Sequence, residues 1–416
     1  MKHHILEVAR NIVKKQHLDL NDEEKKETGV LDITASFDGS WQKRGYKSLY
    51  GIGVVIDLLT SLVIDYEILS KYCTECTAAV RDLSGDSPDF AIWYEGHKSE
   101  CQINHTGSSS SMEMEAAAIL WQRSIKECNM RYTCILSDGD SKTFQHLMSL
   151  NIYGKGKPIK KEECINHISK RLGTGLRSKV KEWRSKGVCI GGKKVGSLKE
   201  TTIVKLTNFY RKAIKDNCND VEKMKSAIYA TLYHCSSTDA KPKHSKCPNG
   251  KLSWCFFKRA LANEESPESH SVMKTKLTEE VVAKILPVYQ RLASNEILSW
   301  CTSGKSQNAN ESLHSVIWSH CPKESFQSKK RLEISVVTAV SEFNFGSLFT
   351  LKHIHQNASL PSMQISGVRD ERRLKQSRSK TFQIAKDKRN MKRKISNKIE
   401  NINIKSEGLS YCAGQF

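Results

Sequence analysis

Residues 31–41 read Leu-Asp-Ile-Thr-Ala-Ser-Phe-Asp-Gly-Ser-Trp, an apolar and β-branched run from Leu31 to Phe37 that halts at Asp38-Gly39. A run of this composition, closed by turn residues, predicts a strand with a carboxylate at its end. Working outward, Gly51 to Ile56 and Leu62 to Leu69 share its character, so a three-stranded meander is expected. The connection Leu58-Leu59-Thr60-Ser61 lacks Asn-Gly or other glycine-rich chemistry, so the turn type does not set the hairpin register. Ser108 to Ser111 offers N-caps ahead of Glu113 and Glu115, and Ala116 to Glu127 continues as a helix. Tyr132 to Leu136 is a fourth strand, ending in Ser137-Asp138-Gly139-Asp140. Three strands, a helix and a strand with an acidic end is the order in which an RNase H-like α/β core begins. From about Arg177 to Trp300 the chain becomes helical and basic, with Gly187 to Gly196 as a break. A further helical segment, Asn308 to Trp318, carries Glu311.

Composition narrows the partners. The 416 residues suit two domains or one enlarged one. Lys and Arg total 66 against 45 Asp and Glu, a formal charge of +21, and such an excess attracts polyanions, nucleic acid foremost. With 38% hydrophobic and 27% charged residues the balance is globular. The most apolar stretch, Tyr50 to Leu69, is cut by Asp57, Asp65 and Glu67, so no membrane span is expected. Met1 to Lys15 holds no apolar block of signal-peptide length, and secretion is not expected. Fourteen cysteines in a reducing compartment, spaced as C-x2-C and C-x2-H, favour metal ligation over disulfides.

The chain divides into five segments: a polar extension over 1–30 with no assigned element, a first core part over 31–175 with a Cys/His excursion at 71–105, a helical basic insertion over 176–300, a core completion over 301–358, and a basic tail over 359–416. Between Arg369 and Lys398 the tail holds 13 Lys or Arg against three acids. Its centre, with Lys392, Arg393 and Lys394, reads as a phosphate-binding arm or nuclear import signal, or as a solvated tail.

Asp38, Asp138 and Glu311 stand out by position, with Asp140 in reserve. Carboxylates at the ends of adjacent strands can converge at one sheet rim, where two hard divalent cations would find oxygen ligands and drive an in-line displacement at phosphorus. Each Asp-Gly taken alone reads first as a turn, and it is their joint placement on this order of elements that favours the catalytic reading. Cys73-x2-Cys76 followed by His97-x3-Cys101 supplies three thiolates and an imidazole, a donor set for tetrahedral zinc, in a zinc-knuckle-like excursion too small to bury much of a core. Cys235, His244, Cys247 and Cys255 form a second candidate, with His234 as a spare ligand. Its spacing fits no standard finger. The run Lys170, Arg171, Arg177, Lys181, Arg184 reads as a phosphate track or a solvated face. Trp183 within it reads as a stacking platform for an unpaired base or as a core filler.

Asp38-Gly39-Ser40-Trp41-Gln42-Lys43-Arg44-Gly45, Asp65-Tyr66-Glu67-Ile68-Leu69-Ser70-Lys71-Tyr72-Cys73, Asp138-Gly139-Asp140-Ser141-Lys142 and Asn310-Glu311-Ser312-Leu313-His314 together resemble the Mutator-like transposase domain of eukaryotic cut-and-paste DNA elements. The resemblance runs from about Leu31 to Lys323. It implies an RNase H-like fold with a helical insertion, a DDE triad at Asp38, Asp138 and Glu311, two Mg²⁺ or Mn²⁺ ions, DNA as substrate, a homodimer or larger assembly at synapsis, and a nuclear location. Cys164-Ile165-Asn166-His167 matches the C-x2-H element of related transposases, which implies contact with the DNA end. On bare chemistry, Cys164 and His167 read as buried side chains before a metal half-site, and the resemblance reverses that preference. The rival functions are a domesticated DNA-binding protein without strand transfer and a zinc-bearing interaction scaffold. A separate module for terminal repeats has no room upstream of Leu31, so either the chain is truncated or end recognition falls to the insertion and tail.

Overall fold

The computed structural model describes residues 1–20, 29–43, 47–139, 141–323 and 327–358. The elements in chain order are α1 (Lys2–Leu20), β1 (Leu31–Trp41), β2 (Tyr50–Asp57), β3 (Val63–Ser70), α2 (Thr74–Leu83), α3 (Pro88–His97), α4 (Met112–Cys128), β4 (Met130–Ser137), α5 (Ser141–Leu150) and β5 (Lys160–Glu163). They continue with α6 (Ile165–Ser185), α7 (Glu200–Lys215), α8 (Val221–Cys235), α9 (Phe256–Ala262), a 3₁₀ turn at His270–Val272, α10 (Glu279–Leu292), α11 (Asn295–Ser299), α12 (Asn308–His320), α13 (Lys329–Phe345) and α14 (Ser347–Ala358). No helix among the described residues is long and apolar enough to cross a membrane.

The five strands form one mixed sheet in the order β3-β2-β1-β4-β5. β1 pairs antiparallel with β2, β2 antiparallel with β3, and β1 parallel with β4. Every residue of β2 is buried because both its faces are covered. On one face Phe37, Val55, Ala116, Leu120, Trp121 and Tyr132 share a core. On the other, Ile52, Val54 and Ile56 pack with Leu313, Ile317, Val336 and Val340 of α12 and α13. Gly51 and Gly53 let α4 approach β2 closely. A Cβ at residue 53 would lie 2.7 Å from the Ala116 Cβ, and one at residue 51 would lie 2.9 Å from the Met112 sulfur.

Two expectations need correction. The first twenty residues, given no element, form helix α1, with Ile5, Leu6, Ala9 and Val13 buried. The apolar stripe is narrow and the rest of the helix is charged, so the polar face masked the period. The β2–β3 connection also finds its turn chemistry in a residue outside the tetrapeptide. Asp57 accepts hydrogen bonds from the Thr60 backbone N–H and hydroxyl at 2.8 Å each, while Ser61 takes a left-handed φ of 60°. An aspartate turn thus substitutes for Asn-Gly.

By internal packing the described chain divides into two compact units. One comprises Met1–Lys161 with residues 307–358, the other Glu162–Ser306. The second unit is helical around a core that includes Leu172, Leu206, Tyr210, Ile228, Ile285 and Tyr289. The expected boundary at 175/176 would fall inside α6, which instead runs unbroken from Ile165 to Ser185.

Candidate active site and metal centres

Three rungs join α12 to β1. The Ser36 hydroxyl donates to Asn310 Oδ1 at 2.5 Å, Asp38 Oδ2 lies 3.3 Å from His314 Nδ1, and the Trp318 indole N–H donates to the Ser40 hydroxyl at 2.7 Å. Alternate strand residues advance about 6.6 Å while every fourth helix residue advances about 6 Å, so the two repeats keep step over three rungs. Gln307 Nε2 adds a hydrogen bond to the Phe37 carbonyl at 2.8 Å. Glu311, in the first turn of α12 and exposed, is thereby carried to the β1 side of the sheet, between the Asn310 and His314 rungs.

Asp138 reaches the same rim by register. Ser36 lies opposite Leu136 in the parallel β1–β4 pair. Two residues further on stand Asp38, still within β1, and Asp138, the first residue past β4, and adjacent strands run about 4.8 Å apart. Glu113, at the start of α4, comes up from beside Gly39, where a Cβ would lie 3.2 Å from its carboxyl carbon. Three buried polar atoms around this rim, Ser137 Oγ, Asn310 Nδ2 and His314 Nε2, make no hydrogen bond among the described residues. Buried polar groups are nearly always satisfied, so these three exceptions stand out. Asp140 lies outside the described residues. Sequence reasoning missed Asn310, His314 and Trp318; their i, i+4, i+8 spacing against the alternation of Ser36, Asp38 and Ser40 was the available signal.

The first Cys/His group assembles as the spacing predicts: donor atoms of Cys73, Cys76, His97 and Cys101 all lie within 4.8 Å of one another. Cys73 Sγ is 3.3 Å from His97 Nε2 and Cys76 Sγ is 3.5 Å from Cys101 Sγ. Tetrahedral bonds of about 2.0–2.3 Å give ligand–ligand edges of about 3.3–3.8 Å, so the donors stand at zinc-binding separations. Glu75 takes the far nitrogen of His97 at 3.0 Å, and Trp93 stacks on that ring at 4.6 Å. Burial opposes ionisation of Cys73, but hydrogen bonds from the backbone of Cys76 and Gln102 and from His97 bring its thiol down to about 7.

The second group differs from expectation by one ligand. His234, His244, Cys247 and Cys255 bring their donor atoms within 4.8 Å of one another, all four buried. His234, the spare, takes the place assigned to Cys235, whose side chain joins the helical core. Successive helical residues point about 100° apart, so the last turn of α8 presents only one of the pair to the loop.

The basic residues fare unevenly. Arg177, Lys181 and Arg184 line a cleft of about 680 Å³ with Lys193 and Lys199, floored by Val180, Leu198 and Ile203. Arg177 is paired with Glu200, with the shortest contact at 2.5 Å, and Arg171 with buried Glu163 at 2.9 Å. Lys170 is exposed. Trp183 packs against the helical core with the ammonium groups of Lys186 and Lys284 over its ring at 5.0 and 4.7 Å. Those cations occupy ring surface that a stacked base would need. Cys164 precedes α6 as its N-cap with 1% exposure, so its thiol faces the interior, whereas His167 is half-buried. Lys392, Arg393 and Lys394 lie outside the described residues.

A mixed sheet whose parallel strands β1 and β4 carry Asp38 within the first and Asp138 just past the second, with a helical unit between β5 and α12 and two thiol–imidazole groups, defines the class: an α/β protein with acidic residues on a pair of parallel strands and two candidate metal centres. The model of the Mutator-like transposase family matches residues 1–255, more than half of the chain, and the chain belongs to that family. No curated protein and no solved structure matches it.

Proposed function

We propose that this chain is a DDE-type DNA transposase, which hydrolyses phosphodiesters at transposon ends and joins the freed 3′ hydroxyls to target DNA on an RNase H-like core. The observation that supports this most is the three-rung seam between α12, the helix that carries Glu311, and β1, the strand that carries Asp38, together with a β1–β4 register that sets Ser36 opposite Leu136, two residues before Asp138. The strand order β3-β2-β1-β4-β5, with an antiparallel meander and a parallel fourth strand, supports the RNase H-like reading. The donor set is all oxygen, as hard divalent ions require. Two Mg²⁺ or Mn²⁺ ions, when bound, activate a water or 3′ hydroxyl and neutralise the charge that builds on the phosphate. Asp38 and Asp138 hold them, and Glu311 completes the second position and orients the nucleophile. His314 engages one oxygen of Asp38 and leaves the other for a metal ion.

Away from the rim, Arg177, Lys181 and Arg184, with Lys193 and Lys199 across the cleft, contact DNA phosphates. Lys170, His167 and the tail cations Lys392, Arg393 and Lys394 extend the contact. Zinc occupies both Cys/His groups and staples the loops that carry them. Synapsis of two ends requires a dimer or larger assembly, and the protein works in the nucleus.

A nicking assay on supercoiled DNA carrying the element's ends tests the reading. Cleavage should need Mg²⁺ or Mn²⁺ and fall to background in Asp38→Asn and in Glu311→Gln, with DNA binding retained. Binding without cleavage under either metal would point to a domesticated DNA-binding protein, and no binding at low salt to a zinc-bearing scaffold.

A further inference from the structure

Behind the second Cys/His group lies a chain of polar side chains, buried at His270 and reaching the surface at Asp239, that supplies none of its four donors. His244 Nδ1 faces the would-be metal, 3.2 Å from His234 Nδ1, 3.7 Å from Cys247 Sγ and 3.3 Å from Cys255 Sγ. Its other ring nitrogen, Nε2, is 2.8 Å from His270 Nε2, and His270 Nδ1 is 2.6 Å from Asp239 Oδ1. His270 is 2% exposed. Asp239 is committed to this contact on three sides: Oδ1 also accepts the His270 backbone N–H at 2.8 Å, and Oδ2 accepts the Ser269 hydroxyl at 2.6 Å.

Proton counting allows one arrangement once a metal is bound. A metal on His244 Nδ1 requires the neutral ring to carry its proton on Nε2. That proton can only be donated to a lone pair, so His270 Nε2 must be bare and His270 must carry its proton on Nδ1. The Asp239 carboxylate, an acceptor only, takes that Nδ1–H. The Ser237 hydroxyl, 3.0 Å from His244 Nε2, accepts a share of the same proton. Both ring N–H groups, on His244 and on His270, therefore meet an acceptor. A His270 protonated on Nε2 would face the His244 N–H donor to donor.

We propose that His270 and Asp239 are positioning residues of a closed zinc site made by His234, His244, Cys247 and Cys255, and that they lock His244 in its metal-binding tautomer. The inference rests on the zinc reading of that group. The site is structural in type, since four protein donors leave no open coordination position. Outer-shell partners of a ligating histidine set both ring orientation and basicity, and losing one typically weakens metal affinity about 10–100-fold. His234 has no such partner, because its Nε2 makes no hydrogen bond among the described residues, so the support falls on His244.

The test uses the full chain, loaded with zinc and titrated with a competing chelator. Cys247→Ser should lower the bound zinc by one ion per chain; unchanged stoichiometry would sink the zinc reading itself. With that control in hand, His270→Ala should weaken one zinc about 10–100-fold and leave the other unaffected. His270→Gln, whose amide oxygen can still accept from His244, should recover much of the loss and serves if the alanine variant fails to fold. Equal affinity in all three proteins would overturn the proposal while leaving the zinc site intact. Nitrogen chemical shifts of histidine-labelled, zinc-loaded protein give a second readout that mere packing would not move. His270 should report a proton on Nδ1 and a bare Nε2; the opposite tautomer or a doubly protonated ring refutes the lock.

Discussion

At the residue scale, Asp38 and Asp138 were legible because an Asp-Gly that ends an apolar run is visible without any partner in view. His314 was not, since a histidine on a helix gains meaning only when the strand opposite is known. Its contact with Asp38 Oδ2 at 3.3 Å makes a prediction. Truncation in His314→Ala frees the carboxylate to rotate, so Mn²⁺ affinity at the rim should fall about tenfold or more, as for other losses of an outer-shell partner. Titration calorimetry with Mn²⁺ measures this, and cleavage at saturating Mn²⁺ should recover toward the parent rate. A variant with unaltered Mn²⁺ affinity would reduce His314 to a packing residue. The second Cys/His group carries the same lesson: Cys235 and His234 are equal candidates in the sequence, and only the facing of the last turn of α8 separates them.

At the scale of elements, β1 to β4 and α4 were legible from periodicity because both sheet faces demand apolar residues, whereas α1 was hidden behind its own charged face and β5, Lys160–Glu163, has no apolar residue to betray it. The close packing of α4 on β2 was legible only as two unexplained glycines. A side chain at residue 53 would meet Ala116 at 2.7 Å and the Phe37 ring at 3.2 Å, neither of them the flexible end of a long chain. Gly53→Val should therefore destabilise the sheet unit by about 1–3 kcal/mol, the usual cost of overpacking, in chemical denaturation. Parent-like stability would mean that α4 can move off the sheet. Asp32 offers a milder test of the β1–β4 pairing. Partial burial raises its carboxyl, but hydrogen bonds from Lys157 and Arg131 outweigh this and hold it below the ordinary range. A depressed folded value stabilises the protein above the unfolded value near 4 and loses that contribution as pH falls through the folded value. Asp32→Asn should accordingly flatten the acid side of the stability profile and leave neutral stability only slightly lowered, as read by thermal melts from pH 7 down to pH 3.

At the scale of the whole molecule, the helical unit begins and ends at one place. Glu163 N–H donates to the Trp300 carbonyl at 2.7 Å, Ile165 N–H donates to the Lys305 carbonyl at 3.2 Å, and the Ser303 hydroxyl bonds Glu162. Net charge announced a polyanion partner but could not say where it docks, because a surplus of lysine says nothing about which lysines share a cleft. Lys181 and Arg184 can be tested jointly. If both touch phosphate, the double variant Lys181→Ala/Arg184→Ala should bind DNA more weakly at low salt, and the slope of log affinity against log salt should fall by about two, one per lost contact. Fluorescence anisotropy across a salt series reads both. An affinity loss with the slope preserved would assign the two residues to the fold of the helical unit, and an unchanged affinity would move the phosphate track to another face.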